Sequence, residues 1–145
     1  MKYFIRYQNP EKHFIKFELV CNTKYLNVLK LQLPSWRPGR YELGNFAKNI
    51  KDFIVFTEKN NLVQFSKSTK DLWIIDCQEY DRVYIRYSYY AAEINAGSTY
   101  LDEEQLYINP VNCMFYNPDK SQETYELDFF LPADYVIYSS LNKNS

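Results

Sequence analysis

Two stretches of this 145-residue chain carry side chains able to grip a charged or planar group. The first is residues 33–50, where Trp36, Arg37, Arg40 and Tyr41 crowd among Pro34, Pro38, Gly39, Gly44 and Asn45. A guanidinium offers a planar fork of donors to carboxylates and stacks on rings. Its use depends on aim, and two of the chain's three glycines fall in this stretch. Pro38 presets φ for the first central position of a type II turn, and Gly39 can take the positive φ of the second. Such a turn would hold Arg37 and Arg40 in a fixed relation. Either these groups and Tyr41 cross-link the fold through carboxylates such as Glu42 or Asp52, or they project to a cleft and hold a substrate or a neighbouring domain. The second stretch is Tyr100, Asp102, Glu103 and Glu104, just after Gly97, Ser98 and Thr99. Its carboxylates are either a solvated hairpin tip or a group that meets a cationic ligand terminus through charge-assisted hydrogen bonds.

Other chemistries lack their residues. His13 is the one histidine, and a zinc site takes three or four protein ligands. There is no His-Glu-x-x-His helix, no Gly-x-Ser-x-Gly elbow and too little glycine for a phosphate-cradling loop. No catalytic residue and no metal ligand is assigned. Cys21, Cys77 and Cys113 are odd in number, far apart and set in apolar stretches, which predicts buried thiols rather than a disulfide framework. A net charge of −1 gives no basic stripe for nucleic acid. The opening residues alternate and include Arg6, unlike an export signal, and no eighteen apolar residues run together to span a bilayer. The expectation is a soluble cytoplasmic domain with no membrane partner.

These groups need a scaffold, and the composition points to strands. Fifteen Tyr, ten Phe and two Trp with little Gly favour pleated, half-buried surface over helix. Period-two alternation predicts strands over residues 13–20, 27–33, 82–89 and 125–131, each with one wet face. Weaker strands fit residues 3–7, 53–57, 62–65, 72–76 and 112–116, with a further strand signal at 135–138 before the polar end at 141–145. Turns are expected at Asn9-Pro10, Lys59-Asn60-Asn61, Asn117-Pro118-Asp119 and Pro132-Ala133-Asp134. One short helix is expected over 45–51 with Asn45 as its N-cap. The fold class is therefore all-β: a two-sheet antiparallel β-sandwich with one short helix, one domain over residues 1–145 and large enough to bury roughly two thirds of its unfolded surface.

The run Leu33, Pro34, Trp36, Pro38, Gly39 and Tyr41, extended by Asn45 to Ile50, resembles the amino-terminal domain of glycyl aminopeptidase-like zinc metallopeptidases. In that family a β-domain precedes a thermolysin-like catalytic domain and a PDZ domain. Tyr7, Asn9, Pro10, His13 and Phe14 resemble the family's opening, and Tyr100 to Glu104 with Ile108 and Asn109 resemble its later segment. The resemblance implies a fragment of a longer enzyme whose zinc and catalytic Glu lie in the next domain. It also implies that this domain packs on the catalytic one, walls the cleft and helps receive the peptide's amino end. Arg37, Arg40, Tyr41, Tyr100, Asp102 and Glu103 are the candidates for that contact. The full protein would then hydrolyse peptides from the amino end at small residues such as Gly or Ala. Removed from its partner, the domain would uncover an apolar face and dimerise through it. The rival expectation is a free-standing module whose Tyr and Trp stack on sugar rings or extended peptides.

Overall fold

A computed structural model describes residues 1–143; positions 144 and 145 of the polar end lie outside the described residues. Ten strands form among the described residues: β1 (Lys2–Arg6), β2 (Phe14–Asn22), β3 (Val28–Gln32), β4 (Ile50–Phe56), β5 (Phe65–Thr69), β6 (Leu72–Asp76), β7 (Arg82–Tyr90), β8 (Tyr100–Leu101), β9 (Leu106–Tyr107) and β10 (Glu126–Phe130). One sheet has the order β10-β1-β2-β7-β4, a second β3-β6-β5, and β8-β9 is a separate short hairpin. The all-β sandwich is present. One pairing departs from the antiparallel expectation, since β1 and β10 run parallel. β10 adds as the edge strand beside β1, and the long connection between them permits either direction.

The core follows from the alternation. Ile15, Phe17, Leu19 and Cys21 of β2 and Val83, Ile85, Tyr87 and Tyr89 of β7 turn inward, and all are buried. They meet Leu29, Leu31, Trp73 and Ile75 from the smaller sheet. Phe115 closes the space between the layers. Its ring stands edge-on to Trp73 at 4.9 Å and to Tyr87 at 5.0 Å, and Tyr87 stacks on Phe17 at 5.0 Å. The buried Tyr3 hydroxyl donates to the Phe115 carbonyl at 2.9 Å and accepts its N–H at 2.8 Å, so a strand of one sheet grips the closing segment by both backbone groups. The three cysteines are free and buried, as their surroundings predict. Burial pushes the thiols of Cys21 and Cys113 up to about 12, which keeps them protonated and inert.

Several elements differ from the periodicity reading. Residues 45–51 do not form one helix: a 3-10 turn covers Phe46–Asn49 and β4 begins at Ile50. Asn45 stands at the cap position, but its side chain makes no capping bond. A bulge between Lys51 and Ile54, with Asp52 at φ 55, turns Phe53 onto the Trp73 and Tyr87 rings. Residues 112–116 are not a strand. A one-turn helix, α1 (Pro110–Cys113), occupies their start, because Pro110 suits a first helical position and Asn109 caps it by accepting the Val111 N–H at 3.3 Å. Only Tyr116 bridges to a strand end, at Gln32. Likewise Leu62 makes an isolated bridge to Phe56, and the strand forms later, as β5. Residues 135–138 carry no strand; the hydrogen bond from Tyr135 N–H to the Pro132 carbonyl closes the turn expected there.

Candidate functional site

The chain leaves β3 at Gln32 and β7 at Tyr90, and the segments that follow meet. Leu33 is buried, with its N–H on the Asp71 carbonyl at 2.9 Å, which fixes the base of the first loop. The Gly44 N–H donates to the Ser35 carbonyl at 2.6 Å and closes that loop on itself. At its tip Gly39 has φ 87, and the Arg40 N–H reaches the Arg37 carbonyl at 3.4 Å, as a type II turn requires. Trp36 Nε1–H donates to the Arg40 carbonyl at 2.9 Å and braces the turn from the side. Pro34 lies half-buried and Pro38 is exposed.

The two arginines go different ways. Arg37 is only 9% exposed and donates from Nη2 to the Ala96 carbonyl at 2.8 Å, tying the first loop to the segment after β7. Arg40 is half-exposed and pairs with Glu42 at 3.4 Å, a surface contact worth little to stability. Asp52 pairs with neither. Tyr41 is fully exposed, and Leu43 and Trp36 also face solvent.

The receiving segment is built around Gly97, at φ 90. Its carbonyl accepts the Asn109 and Asn112 side-chain amides, each at 2.8 Å. The buried Thr99 hydroxyl accepts the Asn109 N–H at 3.0 Å and donates to the Asn109 carbonyl at 3.2 Å. These bonds lash the Ala96–Thr99 backbone to the start of α1. Gly97, Asn109 and Asn112 escape a reading based on alternation, although the Asn109-Pro110 pair is a local signal for the cap.

From Thr99 the chain enters the β8-β9 hairpin, whose tip is Asp102 to Gln105. The Asp102 carboxylate accepts the N–H groups of Glu104 at 2.9 Å and Gln105 at 2.8 Å. These bonds, Glu104 first, hold its carboxyl below the ordinary value against partial desolvation. The carboxylate thus shapes its own hairpin. Glu103 contributes its carbonyl to the Tyr7 hydroxyl at 3.1 Å and leaves its side chain exposed. Tyr100 lies 6.2 Å from the His13 ring, and His13 Nδ1 engages the Leu101 carbonyl at 2.6 Å. No hydrogen bond or ion pair among the described residues joins Arg37, Arg40 or Tyr41 to Tyr100, Asp102 or Glu103. The two groups share a connected loop system rather than a common centre.

The hairpin contact has a pH signature. Because the folded-state pKa of Asp102 is depressed, its contribution is present above the unfolded value of 3.8 and is lost as pH falls through the lower folded value. Amide exchange at Glu104 and Gln105, corrected for its intrinsic rate, should stay protected down to the ordinary carboxylate range and lose protection below it. Loss already near about pH 5 would contradict this assignment.

A separate hollow lies on the outer face of the five-stranded sheet, lined by Lys2, Phe4, Glu18, Val20, Arg82 and Tyr84. Lys2 pairs there with Glu126 and Asp128 at 2.9 and 3.0 Å, and Glu18 with Arg86 at 2.6 Å, while Arg82 has no ion-pair partner among the described residues. No helix among the described residues is long and apolar enough to cross a membrane.

Comparison with known proteins agrees with this architecture. No curated protein matches the chain. The fold is similar to that of an aminopeptidase N family protein from Idiomarina loihiensis, with a TM-score of 0.82 and 22% identity over 91% of this chain. The match spans 22% of that longer chain. The family model of the peptidase M61 N-terminal domain matches residues 2–145, nearly the full length, and the chain therefore belongs to that family.

Proposed function

We propose that this domain is the noncatalytic amino-terminal part of a longer zinc metallo-aminopeptidase, in which the loop at residues 33–44 packs on the catalytic domain and helps wall the substrate cleft. The observation that supports this best is the display of Trp36, Tyr41 and Leu43 to solvent on a loop held by the Arg37–Ala96 and Gly44–Ser35 bonds. Aromatic and Arg side chains on a preordered surface are what a protein interface uses, because their ordering cost is already met before docking. Left uncovered, the same face gives the isolated domain a route to self-association.

The residues of this chain do not fit a zinc ion. Among the described residues no three His, Cys, Asp or Glu side chains gather to hold a metal. His13 is committed to Leu101, and each thiol is buried and protonated. In this reading the metal and the hydrolytic groups belong to the domain that follows, and the present domain acts by positioning.

The test is made on the full gene product. It is expected to contain zinc and to hydrolyse glycyl or alanyl amides, and replacing Trp36, Tyr41 and Leu43 together by Ser should impair activity while leaving the zinc content unchanged. A full-length product without zinc and without such activity would remove the enzyme reading. Specific capture of glycans or peptides by that inactive product would put a binding module in its place.

A further inference from the structure

Arg37 is a nearly buried cation with no counter-ion among the described residues. It is 91% buried by its 9% exposure, and among the described residues it has no carboxylate within 4.0 Å and one hydrogen bond, to the Ala96 carbonyl. A guanidinium has five N–H donors and does not lose its charge at any physiological pH. Only one of these donors is engaged by the protein, and the others, not wholly closed off from solvent, are open to an anion that would complete the site. Arg40, the other cation of the turn, is already neutralised by Glu42.

We infer that Arg37 is an interdomain receptor for one carboxylate, an Asp or Glu side chain from the polypeptide that follows residue 145 in the longer protein. The inference rests on the docking role proposed above and adds the chemistry of its anchor. Three features favour this occupant. The charge requirement is for one anion, not several, which suits a carboxylate in bidentate contact better than a phosphate cluster. Exposed apolar groups stand on both loops that Arg37 joins, namely Trp36, Tyr41 and Leu43 on one and Ile94 on the other. An Arg that joins two loops, each displaying apolar groups, suits an interface anchor better than a free-anion site. Finally, the chain corresponds to only 22% of the structurally similar protein, so a large partner surface has room to follow it.

The experiment uses the full-length protein and zero-length carbodiimide coupling. Arg37→Lys places a primary amine at the anchor, and coupling is expected to join it to an Asp or Glu beyond residue 145, identified by mass spectrometry. In parallel, Arg37→Met keeps the apolar stem but deletes the charge, and should speed limited proteolysis between the two domains by about tenfold or more, since it strands the partner carboxylate. Coupling only to carboxylates within residues 1–145, no coupling at all, or unchanged proteolysis of Arg37→Met overturns the inference. So does a substrate origin for the anion, which would appear as a raised KM of Arg37→Met for free peptides but not for their amidated forms, with proteolysis unchanged. Zinc content and amide hydrolysis of the parent protein are read separately. A product that is active and well docked but uncoupled at Arg37 rejects the carboxylate anchor alone, whereas a product without zinc and activity rejects the peptidase reading.

Discussion

Phe115→Ala is expected to destabilise the domain by about 3–5 kcal/mol, within reach of its whole stability. The ring is 1% exposed and edges against Trp73, Tyr87 and Phe53 at 4.9, 5.0 and 5.7 Å. Truncation costs most where the surroundings cannot relax into the space. Here they are held, because the Tyr3 hydroxyl binds both the carbonyl and the N–H of residue 115 and the Tyr87 hydroxyl binds the Cys113 carbonyl at 2.7 Å. The backbone on either side is therefore fixed at the wall of the cavity. Urea denaturation measures the effect as a lower midpoint at an unchanged slope. Phe65→Ala, on the exposed edge strand β5, is the control and should cost less than about 1 kcal/mol. Equal losses at the two sites would mean that Phe115 does not join the two layers in the way described.

Gly97→Ala is expected to cost about 2–4 kcal/mol and to release Arg37 from its seat. Two effects add. At φ 90 a side chain is strained, which alone amounts to about 1–2 kcal/mol. The new Cβ would also overlap the Arg37 Nη1. The guanidinium must then move and abandon the Ala96 carbonyl. A double-mutant cycle separates the terms: with Arg37→Ala in place the overlap disappears, so the double variant should be less destabilised than the sum of the two single ones. Strict additivity would show that Arg37 and Gly97 do not touch. Because the Gly97 carbonyl also receives Asn109 and Asn112, amide exchange in α1 should quicken in the same variant.

Much of the scaffold was legible because it is local. The inward rows of β2 and β7 are alternating in sequence, and side chains two residues apart must share a face of a strand. The Pro38-Gly39 turn was legible for a similar reason: a ring-fixed φ followed by a residue free to take positive φ leaves few other shapes. The short elements were not. In residues 112–116 the apolar spacing suits a strand, yet Pro110 and the Asn109 cap start a helical turn, and local hydrogen bonding outweighs periodicity over so few residues. At residues 45–51 the pull is reversed. Pairing of Ile50 with Tyr89 draws the segment into β4 after one 3-10 turn.

The candidate site divides along the same line. That Arg37 and Arg40 flank a rigid bend follows from their neighbours in the chain. That one is buried and the other exposed does not, since Arg37 finds its carbonyl 59 residues away while Arg40 pairs within its own loop. Asp102 could be read from sequence as a ligand for a cation or as a hairpin tip, and the structure shows its Oδ1 accepting the next amides of that tip. By itself, then, the sequence determined the strand faces, the buried thiols and the turn at Pro38-Gly39, all of which depend on residue type and spacing. Only the tertiary structure decided that β10 lies parallel beside β1, that Tyr3 clasps Phe115, and that Arg37 lies nearly buried against Gly97 with no counter-ion among the described residues. Those contacts join residues distant in the chain, and they form because the two sheets close on a shared core rather than because any neighbour in sequence calls for them.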